Sequence, residues 1–291
     1  MSGSRNKFIR PADLIALTKA GITLAVTLST LTAWIMYAGK VDFNAFRVVL
    51  GVFLLASSSS ALNQVQERRT DALMGRTRGR PLPAGRMDVR TAILVVVLLF
   101  VAGSLLLAVN TLSLGLGLLS YAWYNALYTP LKYRSVFALA LGSVIGALPP
   151  LIGWTAAGGA MDARPVLALS LFIYLWQVPH FVLLLLRYSA EYKAARLPVL
   201  SSVYSFSFVR RILLLWLAGT TVAGIMLPQM AGVHHNGLAW ALAGGVILLN
   251  LLVVLMLYIR NEHGIRNAFI IMNACLLWVL ALLSASRLPA L

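Results

Sequence analysis

The chain has 291 residues, of which 60% are hydrophobic and 11% charged, and its 24 Lys and Arg against 8 Asp and Glu give a formal net charge of +16. This composition excludes a soluble globular domain, and the single cysteine, Cys275, excludes an intrachain disulfide. The class left is an all-α integral membrane protein whose basic surface faces lipid headgroups and anionic substrates, with no need of nucleic acid to explain its charge.

The residues before the first apolar run are polar and basic, with no apolar core and cleavage site separable from that run, so no cleaved targeting segment is expected. Runs able to cross a hydrocarbon layer of roughly 30 Å need about 20 residues each. They occur near 14–37, 44–62, 91–109, 111–128, 136–157, 165–186, 212–228, 238–259 and 268–286. These predict nine transmembrane helices in one domain spanning 1–291. Only Asn110 to Ser113 separates the third run from the fourth, and the stretch 91–128 is too long for one straight crossing, so a tight turn is expected there.

Between the second and third runs lies LNQVQERRTDALMGRTRGRPLPAGRMDVR, residues 62–90, with seven arginines. Asn63, Glu67 and Asp71 recur at every fourth position. If the preceding helix continues through them they share one face, advancing only about 40° per step. Two acids and an amide on one face suit a hard, oxygen-seeking cation such as Mg²⁺, which completes its shell with water and phosphate oxygens. Arg76, Arg78, Arg80 and Arg86 come next, and guanidinium forks match phosphate bidentately. Arg86 and Arg90 read more simply as orientation signals facing anionic lipid. The local chemistry is that of a metal-bridged diphosphate site at a membrane surface.

After the fourth run, YNALYTPLKYRS adds Tyr128, Lys132 and Arg134. After the sixth, WQVPHFVLLLLRYSAEYKAARLPVL supplies His180 behind Pro179, then Arg187, Glu191, Tyr192, Lys193 and Arg196. The acidic clusters come after the second and sixth runs, four crossings apart, as in two parallel copies of a four-helix unit, so both can face one central cavity. His234 and His235 fall on the other side, remote from the acids. Twenty Lys and Arg lie on the N-terminal face, against Lys40, Arg47, Arg164 and Arg287 on the other. This asymmetry predicts an N-in, C-out orientation with the polar clusters cytoplasmic.

Asn63, Glu67 and Asp71, followed by Arg76, Thr77, Arg80, Pro81 and Leu82, resemble the N-x-x-x-D-x-x-x-D signature of the UbiA superfamily of intramembrane prenyltransferases and its RT-x-x-RPL extension. Trp176, Gln177, Pro179, His180 and Phe181, then Glu191, Tyr192, Ala195, Pro198 and Leu200, are similar to the WQ-x-PHF and DY-x-x-A-G-x-P-x-L segments of its protohaem IX farnesyltransferases. LTKAGIT with Lys19 and Thr23 resembles that family's LTKPRIT, and YTPLKYRS matches YT-x-x-LK-x-RS. Glu67 and Glu191 stand where Asp is common, Arg69 where many members carry Asp, and Gly75 where Glu is usual.

The resemblance implies farnesyl diphosphate and haem B as substrates, Mg²⁺ as cofactor, the inner (plasma) membrane as location, and downstream haem-modifying or oxidase-assembly proteins as partners. It implies Asn63, Glu67, Asp71 and Glu191 as metal-binding catalytic residues, Lys19, Arg76, Arg80, Tyr128, Lys132 and Arg187 as diphosphate ligands, and His180 and Tyr192 as acceptor contacts. Two other readings stay open: a related transferase acting on a quinone precursor or lipid acceptor, against which WQVPHF argues, and a transporter of anionic lipids, which has no need of metal-spaced acids.

Overall fold

This computed structural model describes residues 10–259 and 262–288. Arg5, Lys7 and Arg260 of the expected basic face lie outside the described residues. Among those described there is no strand. In a bilayer the backbone must satisfy its own hydrogen bonds, and a helix does so within one segment.

Helix α1 (Pro11–Thr18) begins on a proline, whose missing N–H is no loss at a helix start, and ends at Lys19 in the left-handed region, φ 50° and ψ 46°. The first apolar run, expected as one helix, is therefore broken there and resumes as α2 (Ala20–Ala38). Helix α3 (Phe43–Asp71) starts at Asp42, whose carboxylate accepts the Ala45 N–H at 2.9 Å, and continues past the expected end at 62. The side chain of Asp88 likewise caps α4 (Val89–Leu107), and that of Asn110 caps α5 (Thr111–Ala122) through the Ser113 N–H at 2.7 Å. The expected turn at 110–113 is thus a helix cap.

Helix α5 passes directly into a π-helical turn (Trp123–Tyr128) and then α6 (Thr129–Leu131). Helices α7 (Ala138–Ala156), α8 (Arg164–Arg187), α9 (Ser189–Ala194), α10 (Leu200–Val203), α11 (Phe206–Met230), α12 (Asn236–Tyr258) and α13 (Glu262–Ala285) complete the chain. His235 has a structural role, since its Nδ1 accepts the Leu238 N–H at 3.3 Å and caps α12. Among the described residues eight helices, α2, α3, α4, α7, α8, α11, α12 and α13, are long and apolar enough to cross a membrane. The remaining expected span, 111–128, is divided by the wider π turn.

The main helix pairs are α3 on α4, α2 on α7, α7 on α8, α8 on α11, α11 on α12 and α12 on α13, and α13 returns against α2 and α8 to close the bundle. Two sites show how the spacing is set. A Cβ on Gly103 of α4 would stand 2.7 Å from the Leu55 backbone nitrogen, and one on Gly153 of α7 would overlap the Thr30 carbonyl oxygen of α2. Close backbone approach of this kind replaces the hydrophobic drive that is absent between helices in lipid. Polar ties add to it: Trp176 donates to the Met272 carbonyl at 2.7 Å, and Ser58 to that of Val96 at 2.8 Å.

Gly153→Val should therefore push α2 and α7 apart and destabilise the protein by about 1–3 kcal/mol, the usual cost of overpacking. Gly115→Val on α5, where an added Cβ meets nothing within 4 Å, should change stability by less than about 0.5 kcal/mol. Thermal melting of the detergent-solubilised variants, compared side by side, checks the difference.

Candidate active site

Because α3 stays helical to Asp71, Asn63, Glu67 and Asp71 come onto one face, and all three are buried, at 1%, 5% and 1% exposure. A buried charge must be paired, and each of these groups has a cationic partner from another part of the chain. The Lys19 ammonium donates to Asn63 Oδ1 at 2.7 Å, Lys132 forms an ion pair with Glu67, and Arg80 donates to Asp71 Oδ2 at 2.7 Å. The Asn63 amide is oriented by donating to Thr129 Oγ1 at 3.1 Å, while the Tyr124 hydroxyl reaches its carbonyl at 3.3 Å. The helix break at Lys19 sets that ammonium over the α3 face. Burial, and next the Arg80 guanidinium, lower its pKa to about 7; the negative charge of a diphosphate would raise it again.

The donor set fits a hard divalent cation: one amide oxygen and two carboxylates, with Asp71 Oδ1 buried and without a hydrogen-bond partner. Glu191, the fourth expected ligand, sits on α9 across the site and accepts the Arg76 backbone N–H at 2.8 Å. Among the described residues no three acidic, histidine or cysteine side chains group together as a metal cage. Asn63 and water or phosphate oxygens would have to complete the shell. At Gly75, where a Glu was expected from the resemblance, an added Cβ would stand 3.8 Å from the Glu191 carboxylate.

The loops that leave α3 and α8 converge. Met74, Ala195 and Leu197 form an apolar contact with Tyr192 packed against it. The guanidiniums of Arg76 and Arg187 both lie over the Tyr188 ring, at 5.0 and 5.1 Å. These two arginines are exposed at the rim, whereas Lys19, Arg80 and Lys132 are inside it. Arg69 is exposed, away from the acids beside it in sequence. Arg86 bonds Asp13 at 2.8 Å and the Gly79 carbonyl at 2.8 Å, tying the loop to α1 rather than entering the site.

Below the acids opens a mostly apolar cavity of about 210 Å³, lined from α2, α3, α5, α7, α8 and the π turn. The π turn brings Tyr124 and Tyr128 into a stack, 5.6 Å between centroids, and Tyr128 in turn stacks on Phe181 of α8 at 6.5 Å. Tyr128 and Phe181 also border a smaller pocket of about 80 Å³ whose polar lining includes Lys132 and Tyr192.

His180, expected as an acceptor contact, packs among aromatic rings of α8 and α13. Its ring stacks on Trp176 at 4.7 Å and lies 4.8 Å from Phe269 of α13, outside both cavity linings. Gln177 and Phe181, one helical turn apart, present the cavity-lining face of α8 instead. Gln177 was part of the recognised segment without being given a role; the signal that could have found it is a polar side chain in the interior of an apolar span.

The sequence model of the UbiA prenyltransferase family matches residues 23–280. A protein named protoheme IX farnesyltransferase from Geobacter sulfurreducens is 40% identical over 200 residues, 68% of this chain and 74% of its own length. One of the same name from Nitratidesulfovibrio vulgaris is 34% identical over 282 residues, covering 95% and 96%. Among solved structures, a digeranylgeranylglyceryl phosphate synthase superposes with a TM-score of 0.76 at 15% identity, covering 95% of this chain and 98% of that one. A UbiA homologue from Archaeoglobus fulgidus bound to GPP and Mg²⁺ gives 0.69 at 15% identity, covering 94% and 99%. The motif residues, the helical bundle and the extent of the match lead to one conclusion: the chain belongs to the UbiA prenyltransferase family and is an enzyme of prenyl transfer.

Proposed function

We propose that this enzyme transfers the farnesyl group of farnesyl diphosphate to a vinyl group of haem B, giving haem O, at a site opening to the cytoplasmic side of the inner (plasma) membrane. The observation that carries the reading is the buried Asn63, Glu67 and Asp71 face, matched by Lys19, Arg80 and Lys132, at the mouth of an apolar cavity. Support for haem as acceptor comes from the relatives named protoheme IX farnesyltransferase, and support for Mg²⁺ from the homologue bound to GPP and Mg²⁺.

In this reading Asn63, Glu67 and Asp71 hold Mg²⁺, with Glu191 offered from the facing loop, and the metal supplies positive charge that makes diphosphate a better leaving group. Lys19, Arg80 and Lys132 bind the diphosphate oxygens from inside, and Arg76 and Arg187 from the rim, placing fixed positive charge where negative charge develops. Tyr128 closes the floor of the diphosphate site above the prenyl chain. The C1–O bond breaks and its electron pair leaves with diphosphate. The terminal vinyl carbon of haem then supplies a pair to C1, water adds to the remaining cation, and loss of a proton leaves a hydroxyethylfarnesyl side chain. The apolar cavity keeps water from C1 until the carbon–carbon bond has formed. Tyr192 at the smaller pocket, and His180 behind Phe181, are the acceptor-side residues.

The same reading takes 1–291 as one domain of nine crossings, with the continuous run α5, π turn and α6 as the fourth, and an N-in, C-out orientation. Purified protein given haem B and farnesyl diphosphate should yield prenylated haem by mass spectrometry with Mg²⁺ and none with EDTA. Release of diphosphate without modified haem would direct the search to a quinone precursor or lipid acceptor.

Asp71 is buried, so Asn, which keeps its shape, is the informative replacement. Asp71→Asn should hold the fold by thermal melting while turnover falls below a tenth of wild type, a barrier increase of at least about 1.4 kcal/mol. Turnover above that level would remove Asp71 from the metal set.

Orientation is open to labelling. In a Cys275→Ser background, Arg78→Cys and Arg196→Cys should react with an impermeant thiol reagent from the cytoplasmic side alone, and His235→Cys from the outer side alone. All three positions are exposed. Reaction of the first two from opposite sides would end the single-mouth arrangement.

A further inference from the structure

The smaller pocket, about 80 Å³, has a place in the fold that the metal and the diphosphate do not explain. On α7 it is lined by Ala138 and Leu139 and on α8 by Leu184 and Leu185, whereas the large cavity begins deeper, at Gly142 and Phe181. Three residues along each helix make a difference in depth of roughly 5 Å, so the pocket lies between the mouth and the large cavity. The two spaces share Tyr128 and Phe181, whose stacked rings, 6.5 Å between centroids, form the partition. Lys132 lines the smaller pocket while pairing with Glu67 of the α3 face. A molecule held here is therefore separated from the prenyl cavity by one pair of rings and lies beside the metal-binding face.

One wall is built by the turn that ends α9. The Arg196 N–H donates to the Lys193 carbonyl and the Leu197 N–H to that of Tyr192, both at 3.0 Å, the paired bonds of a Schellman ending. Such an ending needs a left-handed residue, and Arg196 takes that conformation at φ 55° although a side chain is strained in it. Leu197 is thereby packed with Tyr192, and Leu197, Pro198 and Val199 come to line the pocket. Half-buried Val136 adds a further aliphatic face, and Lys132, Ser135 and Tyr192 are the polar side chains. Ring faces and branched aliphatic groups with a few polar ones suit a small apolar molecule. A diphosphate is poorly served there, because Lys132 is engaged by Glu67 and the neighbouring walls are aliphatic.

We propose that the smaller pocket binds the acceptor, taking one edge of a flat, largely apolar ring system with its vinyl group directed at the Tyr128 and Phe181 partition. This rests on the prenyl-transfer reading above. A space of about 80 Å³ admits a ring edge and its short substituent, not a whole macrocycle, so the remainder of the acceptor lies toward the mouth. Phe181 and Tyr128 then divide the two substrates. C1 of the prenyl chain, at the top of the deeper cavity, and the acceptor's carbon, at the inner end of the shallower pocket, meet at that pair of rings.

The test uses protection of a thiol and a filled pocket. In a Cys275→Ser background, Ser135→Cys puts a thiol at a half-buried lining position, and its reaction with a small thiol reagent is followed alone, with haem B, and with farnesyl diphosphate and Mg²⁺. Saturating haem B should slow labelling about tenfold or more, and farnesyl diphosphate less than about twofold. Val136→Trp, which fills the pocket from its wall, should raise KM for haem B about tenfold and leave KM for farnesyl diphosphate within about twofold. If its melting temperature shows that this variant does not fold, the protection experiment decides alone. A thiol that does not react in the free protein, one that farnesyl diphosphate protects as strongly as haem B, one that haem B leaves unprotected while wild type farnesylates haem, or an unchanged KM for haem B in folded Val136→Trp overturns the proposal. A wild type that releases diphosphate but leaves haem B unmodified refutes haem as acceptor; protection is then measured with a hydroxybenzoate as the quinone-precursor probe, and its absence there overturns the pocket as well.

Discussion

The structure depends on pairing two buried carboxylates near the end of α3. Glu67 and Asp71 are buried beside an equally buried Asn63, and the penalty for an unpaired charge there is several kcal/mol. The cations that meet this penalty come from separate parts of the chain: Lys19 from the break between α1 and α2, Arg80 from the loop after α3, and Lys132 from the end of α6. Lys19 and Lys132, far apart in sequence, are thereby held at one point with α3 and the loop that follows it. The left-handed backbone at Lys19 and the uninterrupted course of α3 serve that same point.

In the proposed function, a diphosphate brought in with a divalent cation would add charges of both signs, so carboxylates and ammonium groups could exchange partners without leaving any charge uncompensated. The arginines at the rim are arranged differently. Arg76 and Arg187 lie over Tyr188 and remain exposed. Glu191 holds the Arg76 backbone N–H and so links the loop after α3 to the loop after α8 across the mouth.

The cavity beneath depends on irregular backbone. An ordinary α-helix through 123–128 would advance its side chains by another angle; the π turn stacks Tyr124 and Tyr128 toward the cavity, and such turns recur at functional sites. Glycines on α4 and α7 fix how closely the walls approach, and so decide which parts of the interior are packed and which remain open.

Much of this was legible in the sequence. Eight of the nine apolar runs correspond to helices long enough to cross a membrane, because hydrophobic length is a local property. The four-residue spacing of Asn63, Glu67 and Asp71 placed them on one face as soon as α3 continued, since helical periodicity is local too. The sequence offered Lys19, Arg80 and Lys132 as diphosphate ligands, but not their pairing with Asn63, Asp71 and Glu67; that pairing depends on how the three are folded onto α3. Nor could it foresee the break at Lys19, the π turn, or the rotation of α8 that turns Gln177 and Phe181 to the cavity and His180 to α13. A helix that is apolar nearly all round carries no pattern to say which face is inward, so that choice belongs to the packing of its neighbours.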